Sequence, residues 1–307
     1  MDYCLVYARS AWKIQRMTSI IKFSLMRRLA VAIVAFVSLS GAALAGGAVA
    51  DWQGTDDAAV RLIAGHDSVD GSGSIWLGLQ IRLSPGWKTY WRNPGESGAP
   101  PRFDWQASEN LEKAVVRWPA PRRFSTYGYD SFGYLDGVVL PVLLQAVSPD
   151  KPVHARLSLD YMVCSNICVP MQAKLDLTLA PKQIPPSSPP GAFAALIRHY
   201  LERVPQSAGP SGLTIHGASV NGPAGAQILR IKAHADRPFQ APDLMVEGPE
   251  PFGFGRPKIA FGANGHDVSM DLPVYAGTRK VKLSDQALTL TLVDGDRSVE
   301  RSLTLND

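Results

Sequence analysis

Cysteine is nearly absent from this chain: its 307 residues hold three, Cys4, Cys164 and Cys168. So few cannot staple a disulfide-dense miniature domain, and an apolar content of 46% lets the chain bury cores without staples. The six histidines (His66, His154, His199, His216, His234, His266) are scattered without metal-ligand spacing, which removes the usual sequence case for zinc. An excess of one charge is missing too. The formal +4 arises in residues 1–50, which carry six basic residues and one acid; the remainder has 25 basic and 26 acidic residues, a net of −1. A nearly neutral body offers no electrostatic case for nucleic acid or anionic lipid. No apolar run after residue 50 reaches transmembrane length, so no membrane span is expected in the mature chain.

What is present begins with a targeting signal. Arg27-Arg28 precede an apolar run from Leu29 to Leu39, and small residues follow, ending in Ala43-Leu44-Ala45 and Ala48-Val49-Ala50. A charged n-region, an apolar h-region and an A-x-A site describe a cleavable secretory signal peptide. Residues 1–50 are therefore read as an N-terminal extension and signal, with Met17 or Met26 a more natural start than Met1. An uncleaved anchor is the alternative, but the run is short for a span. Cleavage removes Cys4. Cys164 and Cys168 then remain in an oxidising compartment, where an even count points to a disulfide.

Helical spacing is confined to residues 192–203, where Phe193, Leu196, Ile197, Tyr200 and Leu201 recur. Elsewhere the period is two. Ile75, Leu77, Leu79, Ile81 and Leu83 share one parity, broken by Trp76, and further strands are expected at Trp87–Trp91, Arg102–Trp105, Ala114–Trp118 and Val138–Val147. Pro141 suggests an edge or bulge in the last of these. Residues 122–136, rich in Tyr, Phe and Gly without a clean period, read as a structured loop. Leu157, Leu159, Tyr161 and Val163 point one way, Met162 and Cys164 the other, and Ala173, Leu175, Leu177 and Leu179 resume the inward face after a turn. Parity puts Cys164 on the polar side, away from the core.

These patterns predict an all-β protein: a β-sandwich over residues 51–181, a Pro/Ser-rich linker with one short helix over 182–212, and a second β-sandwich-like domain over 213–307. In the second domain strands are expected at 228–235, 243–247, 258–261, 267–272, 281–283, 288–293 and 298–305. It has no cysteine and no dense cluster of ionisable residues, so a scaffold or partner-binding role is its default.

The chemistry is concentrated in Tyr161-Met162-Val163-Cys164-Ser165-Asn166-Ile167-Cys168-Val169-Pro170-Met171. A disulfide closing so short a loop stabilises by only about 2 kcal/mol, so a bond meant for stability would do better joining distant strands. A partly exposed, easily reduced bond suits a redox role. Two other readings stay open. One is an inert hairpin pin. The other is Cu(I) binding by the soft sulfurs of Met162, Cys164, Cys168 and Met171. No Lys, Arg or His lies close in sequence to lower either thiol pKa.

Tyr127-Gly128 precedes Tyr134-Leu135-Asp136 and Leu140-Pro141-Val142, Tyr161 leads into Cys164 and Cys168, and Pro170 closes the turn. In these features residues of about 70–181 resemble the N-terminal periplasmic domain of the disulfide reductase DsbD. The resemblance implies an immunoglobulin-like sandwich whose cysteine pair passes electrons between thioredoxin-like periplasmic proteins, fed by a membrane electron donor and needing no cofactor. It implies Cys168 as the cysteine that forms the mixed disulfide and Cys164 as the one that resolves it. It also implies a cap over the disulfide in Phe124–Tyr129, comprising Phe124, Thr126, Tyr127 and Tyr129, with Tyr127 the covering aromatic. Two departures stand out: three residues separate the cysteines where the family has five, and Thr126 stands where its cap has phenylalanine. This chain lacks the family's multi-helix membrane part and thioredoxin-like end. Its two β domains are closer to the N-terminal part of ScsB-like proteins, which are linked to copper tolerance.

Overall fold

Alternating apolar and polar residues fold this chain into strands, nineteen of them with one helix among the described residues. The computed structural model describes residues 48–66, 69–126, 128–181, 191–207, 211–279 and 281–305. Residues 1–47 of the expected signal segment, Cys4 among them, and residues 182–190 and 208–210 of the expected linker lie outside that set. The fold class is the one expected: all-β and immunoglobulin-like, with two sandwiches inside the single compact unit Gly46–Asp307.

In the first sandwich, one sheet has the order β1 (Gln53–Gly54), β2 (Ala58–Ala64), β3 (Ser74–Leu83), β9 (Gly137–Ala146), β6 (Leu111–Val116). The other runs β11 (Cys168–Leu179), β10 (Val153–Cys164), β4 (Lys88–Gly95), β8 (Tyr129–Leu135), β7 (Arg122–Thr126), with β5 (Arg102–Asp104) also on β10. Leu62, Leu77, Leu79, Trp91, Leu140, Leu157 and Leu159 fill the space between the sheets. The helix Ala194–Leu201 lies on the outer side of the first sheet, where Ile197 packs on Ile63 and Val139 with Trp76 beside them. That explains why Trp76 interrupts the alternation, and why β2, buried on both faces, shows no period at all.

Two local expectations are corrected here. Residues 122–136 are not a loop: β7 and β8 form a hairpin whose period is carried by Phe132 and Tyr134 in the core, with Ser131, Gly133 and Leu135 on the opposite parity. Pro141 is neither at an edge nor in a bulge. It pairs with Gly78 of β3, and its carbonyl accepts from the Arg117 N–H just beyond the end of β6. The missing N–H therefore falls on the β6 side, where the ladder is ending, and costs no bond to β3.

The second sandwich has β12 (Leu213–Asn221), β13 (Ile228–Ala235), β17 (Asp267–Tyr275) and β15 (Gly253–Phe254) in one sheet, with β16 (Lys258–Phe261) on β17. The facing sheet is β14 (Pro242–Glu247), β18 (Ala287–Asp294), β19 (Arg297–Thr304). Leu229, Ile231, Leu244, Met270, Leu272, Leu290 and Leu292 make its core. Residues 281–283 are not a strand. Leu283 is buried as a core residue of a coil, its N–H bonded to the Gln227 side chain.

The sandwiches meet along β4, β7 and β8. Met245 of β14 is buried in the first sandwich's core cluster. The Arg92 guanidinium ties β4 to Glu247 and Glu300, both at 2.5 Å. No helix among the described residues is long and apolar enough to cross a membrane.

Candidate functional site

β10 and β11 form one long hairpin in which Cys164 stands opposite Cys168. Ser165, Asn166 and Ile167 make the turn, closed by the Ser165 N–H on the Ile167 carbonyl. The two sulfurs are bonded, with Cα atoms 4.1 Å apart. Alternation puts Cys164 on the outer face of the sheet, opposite Tyr161 and Val163 in the core. Outer does not mean open, and here the expectation is corrected: Cys164 is 1% exposed. Cys168 is exposed, next to an Ile167 that is 70% exposed. The two ends of one disulfide thus differ sharply in access.

Strand β4 provides the cover. It pairs with β10 in the register Lys88 to Cys164 and Thr89 to Val163, and the Thr89 hydroxyl donates to the Met162 carbonyl at 3.0 Å. Trp91 of β4 is in the core, so Lys88 and Tyr90 share the outer face with Cys164. The Tyr90 hydroxyl lies 2.9 Å from Cys164 Sγ and 3.5 Å from Cys168 Sγ. A disulfide sulfur has no proton, so the hydroxyl must be the donor. Burial raises the Tyr90 pKa, which keeps that donor protonated at neutral pH. Gly98 makes room for the ring: a Cβ there would sit 2.2 Å from it, at a φ of +100°. Burial also lowers the Lys88 pKa, and its ammonium lies 5.4 Å from the Phe124 ring centroid.

Of the expected cap, Phe124 is therefore brought to the lysine that pairs with Cys164. Tyr129 is 59% exposed. Tyr127 and the Thr126 side chain lie outside the described residues, and the aromatic found on the sulfurs is Tyr90. The four sulfurs of the copper reading are divided. Met162 shares the outer face with the cysteines, but Met171 pairs with Tyr161 and packs against the core. An odd offset of three from Cys168 to Met171 sends the two side chains to opposite faces of the strand.

Tyr90, Lys88 and Gly98 were not singled out from sequence. Parity on β4, read against Trp91, could have paired Lys88 and Tyr90 on one face. Nothing local says that β4 lies beside β10. The histidines also change: His216, His234 and His266 come together, with successive ring centroids 6.1 Å apart. Even so, no three or more His, Cys, Asp or Glu among the described residues are arranged to hold a metal ion.

Residues 59–180 match the family model described as thiol:disulfide interchange protein DsbD, N-terminal, and residues 203–307 match a domain of unknown function (DUF8393). The crystal structure of the N-terminal periplasmic domain of ScsB from Proteus mirabilis superposes with a TM-score of 0.67 at 24% identity, covering 85% of this chain and 100% of that one. At that identity the likeness speaks for the fold. A marsupial T cell receptor aligns at 9% identity with a TM-score of 0.20, too low to bear on the argument. No curated protein matches the sequence. The resemblance read from the motifs is borne out by the family match and by the shared two-sandwich fold.

Proposed function

We propose that this protein is a periplasmic electron carrier that exchanges its Cys164–Cys168 disulfide with thioredoxin-like partners. The observation that carries the reading is the asymmetry of the bond, with Cys168 exposed and Cys164 buried against the Tyr90 hydroxyl. Attack at a disulfide goes to the reachable sulfur, and the leaving sulfur departs faster when its thiolate is stabilised. A partner thiolate attacks Cys168 Sγ, the S–S bond breaks, and the electron pair stays on Cys164 Sγ facing the Tyr90 O–H. The partner's second thiolate then attacks its own sulfur in the mixed disulfide and releases Cys168 as a thiolate. The partner leaves oxidised and the carrier holds the two electrons. In the onward step Cys168 attacks an acceptor disulfide, and Cys164 resolves the mixed disulfide to regenerate the Cys164–Cys168 bond.

The matched family's name and the periplasmic ScsB domain support this placement and chemistry. The electron donor is then a membrane protein with a thioredoxin-like periplasmic end. The test is thiol trapping across redox buffers with single-cysteine variants. Cys164→Ala should accumulate a mixed disulfide through Cys168 with a thioredoxin-like partner whose second cysteine has been replaced, and Cys168→Ala should not. A wild-type pair still oxidised in buffers poised below about −300 mV, the range of inert structural disulfides, would sink the reading.

A further inference from the structure

The second sandwich carries no cysteine, yet its polar side chains converge on one element of the first. Asp130, near the tip of the β7–β8 hairpin, accepts from Arg256 Nη2 at 2.6 Å and Nε at 3.1 Å. Arg256 Nη2 also bonds the Ser125 hydroxyl on the opposite strand of the hairpin. From β14, the Asp243 carboxylate takes two bonds from Arg123 at 2.9 Å, and the Leu244 carbonyl takes a third at 2.9 Å. Arg123 completes the circuit by donating to Asp130 at 2.9 Å.

Among the described residues of the tip, Tyr129 is 59% exposed and a Cβ on Gly128 would meet nothing within 4 Å. The further polar ties run to Glu96: its carboxylate accepts from the Asp130 N–H at 2.7 Å, and its N–H donates to the Asp130 carbonyl at 2.8 Å. Yet Phe124, adjacent to Ser125, lies over the ammonium of the lysine that pairs with Cys164. Bonds made by the second sandwich thus fall on both chain neighbours of that ring, Arg123 and Ser125.

We propose that the second sandwich is a brace for the disulfide site: Arg256, with Asp243 and the Leu244 carbonyl, grips the β7–β8 hairpin on its inner parity, behind Phe124, so that Arg256 is a positioning residue for exchange at the Cys164–Cys168 bond. This deepens the exchange reading and rests on it for its meaning. It assigns a role to the region matching a domain of unknown function.

The test uses the full chain with Arg256→Gln and Arg256→Lys. Two quantities are measured at pH 7: amide hydrogen exchange over residues 122–131, and the second-order rate of disulfide reduction by dithiothreitol. Arg256→Gln should speed both about two- to five-fold, the scale of a partly exposed ion pair. Arg256→Lys, which keeps the charge but not the fork, should recover part of the loss. The thermal midpoint should stay close to wild type, because Arg256 is 59% exposed and outside both cores. Wild-type hairpin exchange and reduction rate in Arg256→Gln would overturn the brace. A loosened hairpin in a protein whose disulfide no thioredoxin-like partner reduces would support the brace and remove the carrier reading, so the two fail separately.

Discussion

A hydroxyl 2.9 Å from a disulfide sulfur matters at the moment the S–S bond breaks. Before attack, Tyr90 donates to a weakly basic sulfur. After attack, it donates to a thiolate, and a hydrogen bond to a charged group contributes about 1.5–3 kcal/mol. Tyr90→Phe keeps the ring and removes the donor, so reduction of the disulfide should slow by about ten-fold or more. The Cys164 thiol pKa in the reduced protein should rise, with little change in thermal midpoint. Stopped-flow reduction and a thiol titration would check this, and an unchanged rate would take Tyr90 out of the mechanism. The cysteine pair itself was legible from spacing alone. Tyr90 was not, because it lies 74 residues from Cys164 in sequence and only the pairing of β4 with β10 brings them together.

At the scale of the element, the β7–β8 hairpin is held by charge. Partial burial pushes the Asp130 carboxyl up, but hydrogen bonds from Arg256, Ser125 and Arg123 outweigh it and hold the carboxyl at about 2. The groups facing it are Arg123 on β7, Arg256 from the second sandwich, Asp243 behind Arg123, and Glu96 at its backbone N–H. Its folded pKa lies below the unfolded value of about 3.9. The stabilisation is therefore complete above that value and is lost as pH falls through about 2. Hairpin amide protection, corrected for intrinsic exchange, should stay flat from pH 7 down to about 4 and then fall. In Asp130→Asn that step should vanish. The hairpin escaped the sequence pattern because only Phe132 and Tyr134 alternate inward, while Gly128 and exposed Tyr129 lie at the turn and Gly133 interrupts the strand between the two core aromatics.

At the scale of the whole molecule, the sandwiches are joined by apolar burial as well as charge. Met245 belongs by sequence to the second sandwich but is 1% exposed within the first one's core cluster. Met245→Ala should cost about 2–5 kcal/mol as a large-to-small change in a packed core. It should also separate the unfolding of the two sandwiches. Denaturant melts followed by Trp fluorescence, with four of the seven tryptophans at positions 76, 87, 91 and 105, and by far-UV dichroism would then diverge. Coincident transitions at the wild-type midpoint would show that Met245 does not couple them.

Local pattern alone determined that this is an all-β protein with one helix among the described residues, and that a close cysteine pair ends an amphipathic strand with Cys164 on its outer face. A period of two, turn residues and the count of cysteines are short-range properties, and they survive any strand order. Tertiary structure decided the rest. It put β4 against β10, so that Tyr90 and Lys88 bury an outward cysteine, and it sent Met171 to the core. It also docked a cysteine-free sandwich on the hairpin beside the disulfide. Each of these depends on which strands are neighbours, and neighbours in a sheet are chosen by packing across the whole core. The stretch from Tyr161 to Met171 determined where the chemistry is; the strand beside it decided which sulfur can be reached.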